Sequence, residues 1–262
     1  PYVLEQRRAM RNLLYVTVPA SLLLGVMLFI LWADGGQLPD DQLVRKSTYS
    51  DTSPTLGSRD TFTVVTHNLA HLSTSSPDSQ SGSPSRLNQA LSLLQHTNAD
   101  FVGLQEIGLG NESSGRPLDI LAEELGLAEA AQAVRWDDRY RPFPPDTGPI
   151  ISGQAVLSQY PIRGHVRTPI EDSSEAVWDG LFRPDQVVQT AAVDINGWPL
   201  LIMNVDLDAP DIPTREQHAR MVNRIYKRLA GQGLPIILLG NIDAPPSSAN
   251  SLAEGNQPRR SD

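Results

Sequence analysis

An amide and a carboxylate stand two residues apart where an apolar run ends: in Ile236-Ile237-Leu238-Leu239-Gly240-Asn241-Ile242-Asp243, four apolar side chains lead into Asn241 and Asp243. Side chains two apart in a strand share a face, so the spacing predicts that Asn241 and Asp243 project together from its end. The arrangement recurs along the chain. Asn68 closes "FTVVTHN", Gln105-Glu106 closes "ADFVGLQE", and Asn204 and Asp206 close "PLLIMNVD". Amides and carboxylates gathered at one sheet edge suit a hard cation that takes oxygen ligands, or activation of water by a carboxylate base. Glu106, Asn68 and Asp243, joined by Asp206, are the candidate all-oxygen set for Mg2+ or Ca2+. The alternative is local hydrogen bonding within a cleft, in which case no cofactor is required. Cysteine is absent, which excludes thiolate ligands and disulfides. His96, His165 and His218 stand isolated and read as surface or loop residues; His67 adjoins Asn68 and so faces the other side of its strand. His71 follows Asn68 toward the same sheet end.

Short β-rich runs and amphipathic segments alternate along the chain and must position these groups. Strands are predicted over 62–70, 99–107 and 236–243, 153–162 is predicted as a strand running into a turn, and a hairpin over 186–208 turns at Asn196-Gly197. Arg86 to Thr97 carries Leu87, Ala90, Leu91 and Leu94 at helical spacing, and 116–127 is also predicted helical. The segment 213–230 is predicted as an amphipathic helix started by Pro213 and Thr214 and closed by Gly231. A Ser/Pro/Gly-rich insert, "STSSPDSQSGSPS" over 73–85, reads as a surface loop. Strand pairs interleaved with helices, plus a hairpin, indicate a mixed α/β sandwich.

Leu13 to Ala33 is 21 residues without a charge, enough to span roughly 30 Å of hydrocarbon. Arg7, Arg8 and Arg11 precede it and Asp34, Asp40 and Asp41 follow, so the positive-inside rule places residues 1–12 in the cytoplasm. Everything after the span would then be extracytoplasmic, and periplasmic in a bacterium. A signal peptide usually has an apolar core of about 7–15 residues and a small-x-small cleavage site, and neither fits this run, so an uncleaved anchor is expected. Residues 34–60 lack apolar periodicity and read as an extended linker to a domain over 61–262. The net charge of −9 provides no global basic field, and no nucleic-acid partner is expected.

Six segments in this order resemble the endonuclease/exonuclease/phosphatase superfamily, the fold of deoxyribonuclease I, sphingomyelinases and inositol-phosphate phosphatases. "VVTHNLA" is similar to its first strand with its Asn, "DFVGLQEI" to its LQE strand, and "GQAVLSQYPI" to its G-x-A-I-L-S-R-x-P-I segment. "MNVDLDAP" stands at its N-T-H-L, "REQHARMV" at its R-x-x-Q helix, and "ILLGNIDAPPSS" at its G-D-F-N-A-x-P-x-S. The resemblance implies a four-layered α/β sandwich, incomplete at its C-terminal end and preceded by one transmembrane helix. In that family Mg2+ held by the LQE glutamate assists hydrolysis of phosphate esters, two histidines handle protons or clamp phosphate, and the Asp of G-D-F-N activates water.

Carried across residue by residue, Asn68 and Glu106 match, Asp206 replaces the first histidine, and Asn241 and Asp243 exchange the Asp and Asn of G-D-F-N. The C-terminal S-D-H is not present. An amide takes no proton from water, and a carboxylate repels phosphate where a histidine would donate to it. Asp243 is displaced by roughly 6–7 Å along the strand from the base position. The resemblance with these departures leads to the expectation of a membrane-anchored, non-catalytic accessory subunit bracing the extracytoplasmic face of an integral membrane protein complex. The alternative is an anchored Mg2+-dependent phosphodiesterase or phosphatase.

Overall fold

A computed structural model describes residues 2–36, 38–51, 61–72, 86–109, 116–140, 150–170, 183–207 and 211–242. The first helix, α1 (Tyr2–Asp34), runs through the apolar segment with Pro19 inside it. Its portion Met10–Asp34 is long and apolar enough to cross a membrane, a test that a signal sequence also meets. After a short 3-10 turn at Asp40–Gln42 comes β1 (Val44–Thr48). The segment expected to be an extended linker therefore enters the domain: β1 pairs antiparallel with β4 (Glu129–Asp138), in register from Val44↔Ala133 to Thr48↔Glu129. "VRKST" escaped recognition because an outermost strand buries little and needs no apolar alternation.

The remaining elements are β2 (Val64–Leu72), α2 (Arg86–Gln95), β3 (Phe101–Gly108), α3 (Pro117–Glu124), β5 (Ile150–Ser158), β6 (Ile162–Ile170), β7 (Gln186–Ile195), β8 (Trp198–Asp206), α4 (Ile212–Ala230) and β9 (Ile236–Asn241). They form two sheets, ordered β1-β4-β5-β3-β2 and β6-β7-β8-β9. Phe101, Ala131, Val156, Ile162, Ala191 and Ile202 fill the space between the sheets. Leu94 of α2 and Leu118 and Leu121 of α3 pack on the outer face of the first sheet, in one cluster with Leu104 and Ile107. Val222 of α4 packs against Met203 and Val205 on the outer face of the second. The result is the expected four-layered α/β sandwich. A strand buried on both faces reads as a continuous apolar run rather than an alternating one, as "FVGLQEIG" does.

Strand direction decides where the polar ends meet. β2 and β3 are parallel, and β3 and β4 each run antiparallel to β5, which lies between them. The C-terminal ends of β2, β3 and β4 therefore share one sheet edge. β8 and β9 are parallel in the facing sheet, with Asp206 opposite Asn241. Gly103 lets the two sheets approach, since a methyl there would overlap the Leu239 side chain.

Helix ends follow their signals closely. The Asp211 carboxylate accepts from Thr214 N–H at 2.8 Å and caps α4, one residue ahead of the predicted start, with Pro213 in the first turn and Lys227 and Arg228 in the last. Asn196 and Gly197 adopt φ of 51° and 90°, the double positive-φ pattern of a two-residue hairpin turn.

His165 is half-buried, and burial followed by the nearby Lys46 ammonium lowers its pKa from the ordinary 6.5. The folded chain thus resists a proton that the unfolded chain accepts. Folding is unaffected by this group above pH 6.5 and loses stability as pH falls below it, until the folded form also titrates. Melting of the full chain in detergent at pH 7.5 and 5.5 should show a smaller acid-side loss for His165→Gln than for the parent. An equal loss in both would remove His165 as the cause.

Candidate functional site

Asn68 and Glu106 meet at the shared edge. Asn68 Nδ2 donates to Glu106 Oε1 at 2.9 Å, while Asn68 Oδ1 accepts from Ala70 N–H at 2.7 Å. The amide therefore turns its N–H to the carboxylate and its oxygen to the backbone. The two neighbouring backbones are irregular at this point. Strand register shifts between Asn68 and Leu72 and again between Leu104 and Ile107. Ala70 and Glu106 adopt φ of 50° and 53°, a conformation that costs a non-glycine residue roughly 1 kcal/mol or more. Bulges of this kind aim a side chain away from its regular direction. Here they set Glu106, which is partly exposed, at the rim between the sheets.

A second cluster is built on a buried ion pair. Asp206 is fully buried and pairs through Oδ2 with the Arg135 guanidinium of β4, itself only 4% exposed at the side chain. Asn241 Nδ2 donates to Asp206 Oδ1 at 3.1 Å. Arg135 is held from its other sides by the Asp185 carbonyl at 3.0 Å and the Gln186 side-chain oxygen at 3.2 Å. The carboxylate at the first-histidine position thus has its charge matched inside the protein. The amide at the base position is turned toward that carboxylate.

Asn204 proves to be a structural residue. Its side chain, fully buried, accepts from Gln105 Nε2 at 2.6 Å and donates to the carbonyls of Leu104 and Ala155 at 3.0 and 3.1 Å and to Gln189 Oε1 at 3.2 Å. It ties the two sheets together below the site. Arg135 escaped the sequence reading altogether, although a lone cation inside "EAAQAVRW" was a signal that something buried must answer it. His218, expected at the surface, is 1% exposed on α4, while His96 is exposed. Asp243 lies outside the described residues.

Among the described residues, Asn68, Glu106, Asp206 and Asn241 all sit at the same end of the sheets, Asn68 bonded to Glu106 and Asn241 to Asp206. No group of three His, Cys, Asp or Glu that could hold a metal occurs among the described residues. Asp206 is paired with Arg135 and Asn241. Glu106 alone still fits a Mg2+ ion, which keeps several waters and needs only one or two carboxylates.

A family model described as the Endonuclease/Exonuclease/phosphatase family matches residues 65–258. No curated protein sequence matches the chain. Among solved structures, a mannosyl-6-phosphatase of Bacteroides thetaiotaomicron is similar at 18% identity and a TM-score of 0.51, over 74% of this chain and 71% of that one. An endonuclease/exonuclease/phosphatase family protein from the same organism is similar at 18% identity and a TM-score of 0.49, over 74% of this chain and 68% of that one. Identities this low show the fold alone.

Proposed function

The chain belongs to the endonuclease/exonuclease/phosphatase family, whose members are usually phosphoesterases or nucleases, and from that premise we propose that it is a membrane-anchored member without hydrolytic turnover, serving as an accessory subunit on the outer face of a membrane protein complex. The observation that carries this reading is the buried Arg135–Asp206 pair, with the half-buried Asn241 amide turned toward it. Hydrolysis in this family needs a base for water and a donor for phosphate. Asn241 takes no proton, and Asp206 donates none and is closed to solvent.

The apolar helix α1 supports the anchoring. Apolar side chains from Leu13 to Trp32 are exposed, and among the described residues no other element lies within 4 Å of a methyl placed at Gly25, so another helix can approach there. A Mg2+-dependent phosphoesterase is the second reading, favoured by the Asn68–Glu106 hydrogen bond at a Glu106 held at positive φ. In it Glu106 would hold the metal, Asn68 would orient the carboxylate, and the ion would neutralise charge developing on phosphoryl oxygens.

An assay separates the two. Full-length protein in mild detergent with Mg2+ should hydrolyse bis(4-nitrophenyl) phosphate and 4-nitrophenyl phosphate no faster than its Glu106→Ala variant. A Mg2+-dependent rate that falls a hundredfold or more in Glu106→Ala would overturn the non-catalytic reading. Native purification from its own membranes should give a large assembly at fixed stoichiometry; a free monomer would sink the subunit role.

A further inference from the structure

The end of α1 is latched to the same sheet edge that bears the site. Ala33, at the foot of the candidate membrane span, is fully buried, and its carbonyl accepts from Tyr140 N–H at 3.0 Å. Gly35 accepts from Arg139 N–H at 3.3 Å, Leu38 N–H donates to Asp137 Oδ2 at 2.8 Å, and the Phe29 and Tyr140 rings lie 6.0 Å apart. These partners immediately follow, or close, the C-terminal end of β4, with Arg135 only two residues upstream. Glu106 lies two residues before the end of β3, two strands across from β4, or roughly 10 Å, and Asn68 is one strand further, roughly 15 Å.

We infer that the latch turns the site-bearing edge toward the bilayer, so that this edge faces lipid headgroups and any ligand at Glu106 comes from the membrane surface. The inference rests on reading α1 as a membrane anchor. Phe29 lies five residues inside the end of the span, about 7–8 Å along the helix, which brings the Tyr140 ring to the depth where interfacial aromatics sit. Two exposed cations flank the edge and suit headgroup phosphate. Arg139 lies in the latch, and Arg86 donates to the Ala70 carbonyl beside Asn68 at 3.3 Å. The opposite edge, at the Asn196-Gly197 turn and the exposed Trp198, points into solvent roughly 25–30 Å away, the length of β8.

The absence of cysteine makes the test direct. Bimane is attached to single cysteines in the full chain, at Ile242→Cys on the site edge and Trp198→Cys on the far edge. Both proteins are placed in phosphatidylcholine nanodiscs carrying a nitroxide on the headgroup. The Ile242→Cys label should be quenched at least threefold more than the Trp198→Cys label. Equal or reversed quenching would overturn the orientation. Asp137→Ala with Tyr140→Pro, which removes the acceptor for Leu38, the Tyr140 ring and the N–H that bonds Ala33, should bring the two labels toward equal quenching, and an unchanged difference would also overturn the proposal, since the latch would not set the orientation. Hydrolysis in the Glu106 assay would remove the non-catalytic reading and leave this result standing, so the two failures are distinguishable.

Discussion

Replacing Asp206 with Ala should cost about 3–5 kcal/mol of folding stability, because it strands the Arg135 guanidinium in a dry interior. Arg135 and Asp206 are 4% and 0% exposed at the side chain, so neither ion recovers solvation when its partner is removed. Asn241 would lose its acceptor in the same step. The net worth of the pair is a different quantity. Arg135→Met combined with Asp206→Leu removes both charges and should recover most of the loss, as happens when buried ion pairs give way to apolar side chains. Denaturant unfolding of the full chain in micelles, read by circular dichroism, measures all four corners of the cycle. A loss under about 1 kcal/mol in Asp206→Ala would mean that water reaches the pair, and the buried-pair basis of the non-catalytic reading would go with it.

Gly240→Ala should be comparably damaging, by roughly 3 kcal/mol, for a backbone reason. Gly240 adopts φ of 139°, which side-chain-bearing residues rarely reach, and a methyl there would overlap the Val205 carbonyl of the adjacent strand. The expected consequence is local: β9 separates from β8 at Asn241 while the rest of the second sheet holds. Hydrogen exchange should therefore quicken for the amides of 236–241 and stay slow over 186–195. Gly197→Ala serves as the comparison. Its φ is also positive, at 90°, but nothing lies within 4 Å of the added carbon, so about 1 kcal/mol is expected. Equal effects at the two glycines would show that conformation alone, and not the close approach of β8, governs the Gly240 position.

Much of the architecture was legible along the chain because its signals are local. Asn196-Gly197 marked the hairpin, and the apolar runs marked β3 and β9. The amphipathic stretch before Gly231 marked α4 to within a residue at its start. The same patterns were silent for β1, a polar outer strand, and for β4 and β6, which lacked distinctive bounds. Segment 153–162, expected as a strand running into a turn, supplies most of β5 and the turn after it and ends on the first residue of β6. Of the site, the residue types at four strand ends were visible, and all four described ones do converge on one sheet edge.

The sequence by itself determined the family, the apolar helix and the identity of the groups at the strand ends, since each is written in local order and spacing. Only the tertiary structure decided what those groups do to one another. Arg135 and Asp206 are 71 residues apart and meet because β4 and β8 lie in facing sheets. Asn204 became a tie between sheets through partners 15 to 100 residues away. The latch between Ala33 and Tyr140 likewise depends on β4 ending where α1 ends. Spacing fixes which face a side chain takes, but charge pairing and burial depend on what the facing element supplies, and that is set only when the sheets close.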